Sequence, residues 1–290
     1  MNKPWIKEVL DLNRVLNRQF KKIEKQEEKL LKKKEKKVIS DGLEPIRKML
    51  EKKIPDQLYY TLQAAFEVSF QMLFEKGGTY IEKTYKKDQK ELEHEFLDFA
   101  MDKEMRSRYI RKMDRQANRS SLLNTSFSVL EGGALGFLGI GLPDIPLFIA
   151  VVMRNVYEIA MSYGYGYESD EERAYLLLLI SGALAKDEES KKAYSRQIDE
   201  LGQRIDQGQA FGIDLIEVMD ETAGVIAEAM LIAKFIQGIP VVGTVGGIVN
   251  YSIIRKIGKL AGLKYKKRYL SKKQREKQQR APVQTQLSAE

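Results

Sequence analysis

The stretch from Gly132 to Ile159, GGALGFLGIGLPDIPLFIAVVMRNVYEI, constrains this chain more than any other. It is the most apolar run, yet its first half carries five glycines, Gly132, Gly133, Gly136, Gly139 and Gly141, and Pro143 and Pro146 rule out one unbroken helix. A second run, Phe235 to Ile254 (FIQGIPVVGTVGGIVNYSII), repeats the mixture of small residues with one proline and no charge. Small residues on a helix face let a second backbone approach closely. Ser120, Asn124, Ser128, Gly132 and Gly136 recur at every fourth position, and Gly243 with Gly247 and Gly258 with Gly262 form similar steps. Both runs are therefore expected in the packed centre, with the stripe seeking the Pro240–Gly262 helix as its partner. Gly139, Gly141 and Pro143 divide the first run. Asp144 then caps a helix that continues past Arg154, Asn155 and Tyr157 to Tyr163-Gly164.

The remaining chain reads as helices. From Trp5 to Val38, Trp5, Ile6, Val9, Leu16, Phe20, Ile23 and Leu30 fall at helical spacing, and the lysine-rich second half offers ion pairs three or four residues apart. Pro55-Asp56 opens an unusually apolar helix that stops at Gly77-Gly78. Charged amphipathic character returns from Thr79 to Asn118, with Leu92, Phe96, Phe99, Met105, Tyr109 and Met113 as expected anchors. Ser169-Asp170-Glu171-Glu172 is a capping box, in which the serine and the second glutamate satisfy each other's free backbone donors. It launches AYLLLLISGALA; charged (Asp187–Gln207) and apolar (Phe211–Gln237) helices follow. No strand alternation is present. The predicted class is all-α, a multi-helix globular bundle with two glycine-rich central helical hairpins. Three regions are expected: a charged amphipathic one at 1–118, a glycine-rich core at 119–270 and a basic, largely disordered tail at 271–290.

Lys and Arg total 49 against 41 Asp and Glu, a formal charge of +8, and the excess gathers at both ends. Lys264, Lys266, Lys267, Arg268, Lys272, Lys273 and Arg275 crowd one segment with almost no acid. They are expected to form a basic surface toward anionic membrane lipid, where each contributes about 1 kcal/mol. The run at 235–254 meets the roughly 20 residues of a spanning helix, but its glycines, Pro240 and Asn250 lower its hydropathy. It reads as a core helix or an interfacial hairpin. Nucleic acid, the competing anion, is not expected as a partner, because aromatic interleaving and a helix-turn-helix signature are both missing. The N-terminus never forms an apolar leader, so the expected location is cytoplasmic, peripheral to the inner face of the membrane.

Catalytic constellations are scarce. Without cysteine there are no disulfides, thiolate metal sites or cysteine nucleophiles. Glu91 and His94 make half of a di-iron Glu-x-x-His pattern, but His94 is the only histidine, so no second half exists. His94-Glu95 fails HExxH because position 98 is Asp. His94 is read as a surface residue. No phosphate-binding glycine loop or GxSxG elbow occurs, and no cofactor is expected. What remains are Asp144, Arg154, Asn155 and Asn250 in apolar helices. Asp144 is read as a cap, Arg154 as needing an acid partner, and Asn250 as bonding across to another helix. Alternatively they line an interhelical polar site, that of a hydrolase or other enzyme with Asp144 and Arg154 as its charges. An intracellular lipid carrier is a further alternative.

Two blocks carry a family resemblance. GGALGFLGIGLPDIPL followed by MRNVYEIAMSYGYGYES, and later IPVVGTVGGIVNYSIIRKIGKLAGLKYKKRYL, resemble the EcsC protein family in order and spacing over Ser120–Leu270. Within them the resemblance rests on Asp144-x-Pro146, Arg154, Tyr163-Gly164, Pro240, Gly243, Asn250 and Arg268-x-Leu270. The first hundred residues carry no placed motif. The resemblance implies a glycine-zipper-like helical protein without assigned activity, connected through its gene neighbourhood with an ABC transporter and with secretion. The expected function is thus a non-enzymatic peripheral membrane protein that binds lipid or a membrane-protein partner.

Overall fold

A computed structural model describes residues 4–32, 55–77, 81–82, 85–119, 144–209, 212–236 and 247–287; side chains at 4–12, 119, 144, 233–236, 247–251 and 280–287 are outside the description. Among the described residues the chain is all-helical: α1 (Pro4–Leu31), α2 (Asp56–Met72, running into a π-helical turn at Leu73–Gly77), α3 (Lys87–Lys103), α4 (Ser107–Arg119), α5 (Asp144–Ser162), α6 (Asp170–Leu184), α7 (Glu188–Asp206), α8 (Leu215–Ile236) and α9 (Gly247–Leu287). The small-residue stripe from Ser120 to Gly136 and the Pro240–Gly243 stretch lie outside the described residues. So do the glycine-rich hairpins built on them.

The helix boundaries follow local chemistry. Ser169 accepts from the Glu172 backbone N–H at the start of α6, and Asp187 accepts from Ser190 N–H at the start of α7. Gly164 takes φ +78° just after α5, a conformation that favours glycine. The capping box is only half made, since the Glu172 carboxylate turns instead to Arg268.

Helix α9 is the axis of the bundle, with α1, α4, α5, α6, α7 and α8 all packed on it. Long-range pairs give the directions. Asn155 of α5 lies against Gly258 and Tyr163, just past its end, near Tyr269, so α5 runs parallel to α9. Glu172 meets Arg268 while Gly182 meets Leu260, making α6 antiparallel. Gln116 donates to Glu93 across the α3–α4 hairpin. Gly258 explains the close α5–α9 approach: a Cβ there would sit 2.9 Å from Asn155 Oδ1. Gly262, the other end of that step, faces open space. Helix α5 is the one described helix long and apolar enough to cross a membrane, but 94% of its Ile145–Ser162 window is buried inside the fold.

Two expectations are corrected. Leu92, Phe96 and Phe99 are not anchors: they are 67%, 66% and 60% exposed, while Leu97 and Met101 are buried. Periodicity allows either face of α3 inward. The inward one is chosen because its polar residues find partners, Lys90 with Glu158 at 3.1 Å and His94 beside the Ser162 carbonyl. Nor is the segment beyond 270 largely disordered, since α9 continues to Leu287. Its Ser-Lys-Lys-Gln-Arg-Glu-Lys-Gln-Gln-Arg stretch is made mostly of good helix formers.

Candidate functional site

The basic segment of α9 faces inward. Lys264, 1% exposed, donates to Glu27 of α1 at 2.5 Å and to Ser195 Oγ of α7 at 2.7 Å, and lies 2.9 Å from Asp199. Ser195 Oγ also donates to Glu27. Lys267, half-buried, pairs with Asp199 at 2.7 Å. Lys266 reaches Asp114 of α4 at 2.8 Å. Lys273 bridges Asp98 and Asp102 of α3 at 2.8 and 2.7 Å. Arg268 makes a bidentate pair with Glu172 at 2.9 and 2.7 Å and also holds Asp206, which Arg275 meets at 3.5 Å. Its guanidinium lies 4.1 Å from the Tyr165 ring centroid and 4.4 Å from that of Tyr175. The basic residues of α9 are thus neutralised by acids from α1, α3, α4, α6 and α7, with Asp199 and Asp206 of α7 each meeting two of them.

This corrects the reading of Lys264, Lys266, Lys267, Arg268, Lys273 and Arg275 as an outward basic surface; of that group only Lys272 is exposed. A buried cation without a counter-charge costs several kcal/mol, so the fold brings an acid to each. The acids respond. Burial pushes the Glu27 carboxyl up, but Lys264 and the hydrogen bonds from Lys264 and Ser195 outweigh it, and the net shift is downward. Asp98 is likewise held below its ordinary value: burial raises it, and Lys273 and Tyr269 overcome that.

An outward basic row lies on α4. Helix α4, SRYIRKMDRQANR, buries Ile110, Met113 and Ala117 and exposes Arg108, Arg111, Lys112 and Arg115 on the opposite side. Its acid, Asp114, is turned inward to Lys266 and accepts from Tyr163. Among the described residues those four cations meet no carboxylate. The signal was present in SRYIRKMDRQANR itself, where 3.6-residue periodicity segregates the Arg and Lys residues from the apolar ones. The longer basic run at the C-terminus obscured it.

The remaining candidates separate. Arg154 pairs with Glu158 one turn on, Nε to Oε1 2.9 Å, as its burial required. Asn155 packs on Gly258. Asp144 is the first residue of α5, its capping oxygen outside the description, and Asn250 is in α9 with its side chain likewise outside. Ten residues of helix separate Asp144 from Arg154, about 15 Å, so the two do not share a site. Among the described residues no group of acids and histidine has the arrangement of a metal site. A cleft of about 210 Å³ between the end of α2 and the α5–α6 loop is lined by Phe74, Glu82, Tyr157, Tyr167, Glu168 and Arg173. It is smaller than the roughly 300–1,000 Å³ of ligand pockets, and its polar groups serve the fold: Tyr167 donates to Glu82, and Arg173 to the Phe74 carbonyl.

His94 is not a surface residue. It sits against Gly164, where a Cβ would lie 2.1 Å from its Nε2, with Nδ1 3.4 Å from the Ser162 carbonyl and its ring edge-on to Tyr269. Burial lowers its pKa from 6.5; Asp98 opposes the shift, and Lys272 and Lys273 add to it. A base held neutral in the fold binds a proton more readily when unfolded, so its contribution is present above pH 6.5 and lost as pH falls through the folded value. Urea unfolding should therefore show stability declining below pH 6.5. His94→Gln should remove the part of that decline that precedes carboxylate titration.

The EcsC protein family matches residues 17–270, beginning midway along α1 and so including most of the first hundred residues, in which no motif had been placed. Protein EcsC of Bacillus subtilis (strain 168) is 25% identical over 132 residues, which cover 45% of this chain and 51% of that protein. The matched region thus spans about half the length of that curated relative. No solved structure matches. With most of its length matched by the family, the chain belongs to the EcsC protein family.

Proposed function

We propose that this chain is a non-catalytic peripheral membrane protein of the cytoplasmic face that meets anionic lipid through α4. The observation behind this reading is the exposed row Arg108, Arg111, Lys112 and Arg115, with Asp114 turned inward. Four such residues near an anionic surface supply about 4 kcal/mol, enough for reversible attachment. In sequence, α4 leads directly into the small-residue stripe that begins at Ser120. Lys264, Lys266, Lys267, Arg268, Lys273 and Arg275 of α9 do not contribute this attraction, because their charge is met internally.

Sedimentation with vesicles of phosphatidylglycerol and phosphatidylcholine tests the reading. Binding at low ionic strength should weaken as salt screens it. Replacing all four residues with glutamine should lower it by roughly a thousandfold while the fold persists. If the native chain stays in the supernatant at low salt, the lipid reading fails.

A further inference from the structure

Leu92, Phe96 and Phe99 lie at i, i+4 and i+7 on α3 and form one stripe of large apolar side chains, each at least 60% exposed. Three residues so spaced share a helix face. Exposing them together is unusual in a fold that buries Leu97 and Met101 on the same helix. At about 100° per residue, the stripe lies between two edges of α3. One edge carries Glu93, which accepts from Gln116 of α4. The other carries the exposed acids Asp88, Glu91 and Glu95. The stripe therefore borders α4, and the register set by Glu93 and Gln116 places Phe96 at the level of Met113 and Phe99 at the level of Ile110. Lys103 extends over the Phe99 ring, 4.6 Å from its centroid.

We infer that the α3–α4 hairpin is a lipid-inserting element: Leu92, Phe96 and Phe99 enter the acyl boundary of an anionic bilayer while Arg108, Arg111, Lys112 and Arg115 hold the headgroups. This rests on the lipid reading of α4 and adds depth and orientation to it. An apolar row beside a basic one is the arrangement by which surface helices sit in the interface, burying the apolar residues about 5–10 Å deep. Two copies of the stripe fit each other poorly. In an antiparallel pairing through the Leu92, Phe96 and Phe99 seam, Glu95 of each copy would face the other copy's Glu95, and Asp88 would face Asp102. The acid row is on the edge away from α4, so the insertion is tilted, with that edge lifted away from the headgroups.

A Phe96→Trp substitution in a Trp5→Phe background puts the only tryptophan on the stripe. Emission should shift to the blue, and brominated acyl chains should quench it, when phosphatidylglycerol vesicles are added at low salt. The double variant Phe96→Ser, Phe99→Ser should lose about tenfold or more in vesicle partitioning yet retain the salt dependence supplied by α4. Salt-sensitive sedimentation with tryptophan emission that is neither shifted nor quenched overturns insertion and leaves the lipid reading of α4 standing. Absence of sedimentation overturns both. A blue shift that grows with protein concentration without vesicles assigns the stripe to a second copy, and one seen only on adding an amphipathic lysine-flanked peptide assigns it to a protein helix; either result overturns the proposal.

Discussion

Replacing Arg268 with methionine should lower the unfolding free energy by about 3–5 kcal/mol, the cost of leaving buried acids without their cation. Arg268 is 6% exposed, and Glu172 and Asp206 both depend on it. Burial lowers the pKa of the guanidinium, but Glu172, the surrounding tyrosines and Asp206 outweigh this and hold it above its ordinary value. Lysine at 268 should recover only part of the loss, since it keeps the charge without the fork that meets both Glu172 oxygens or the flat face against Tyr165 and Tyr175. Lys267→Met is the internal comparison. It changes the next residue of the same helix, half-buried and paired with Asp199, and should cost about 1 kcal/mol or less. Chemical unfolding with unchanged m values measures all three. An Arg268→Met loss no larger than that of Lys267→Met would show that the charge spine does not organise α6 and α7 around α9.

The second large effect joins α1 to α9. Lys264→Met takes from Glu27 its close cation and should cost about 3–5 kcal/mol, whereas Glu27→Leu leaves Lys264 with Asp199 and should cost less. The double variant should cost much less than the sum, because an apolar pair of similar volume leaves no buried charge. Asp199 retains Lys267 in that background. A double variant as unstable as the sum of the singles would mean that Glu27 and Lys264 are not partners, and that α1 is held by Leu16 and Ile23 alone.

The features legible in the sequence were local ones. The ends of α2, α5, α6 and α7 follow from Pro55-Asp56, Tyr163-Gly164, Ser169 and Asp187, because caps and glycine stops act within a few residues of the chain. The alternation Tyr163, Gly164, Tyr165, Gly166, Tyr167 was legible as a loop, but its three buried rings and their separate destinations, Asp114, Arg268 and Tyr157, were not. His94 looked superficial because its helix is charged. Its burial depends on the C-terminal end of α5, 68 residues away in sequence.

By itself the sequence determined that the chain is helical, where α2, α5, α6 and α7 begin or end, and to which family it belongs, because periodicity, capping and motif order are properties of neighbouring residues. Only the tertiary structure decided which basic residues face outward. A lysine on a helix is inside or outside according to whether an acid arrives beside it, and the acids here come from far along the chain: Glu27 is 237 residues from Lys264, Asp98 is 175 from Lys273, and Glu172 is 96 from Arg268. The densest basic segment of the chain therefore became its internal axis, and the shorter basic row on α4 became surface.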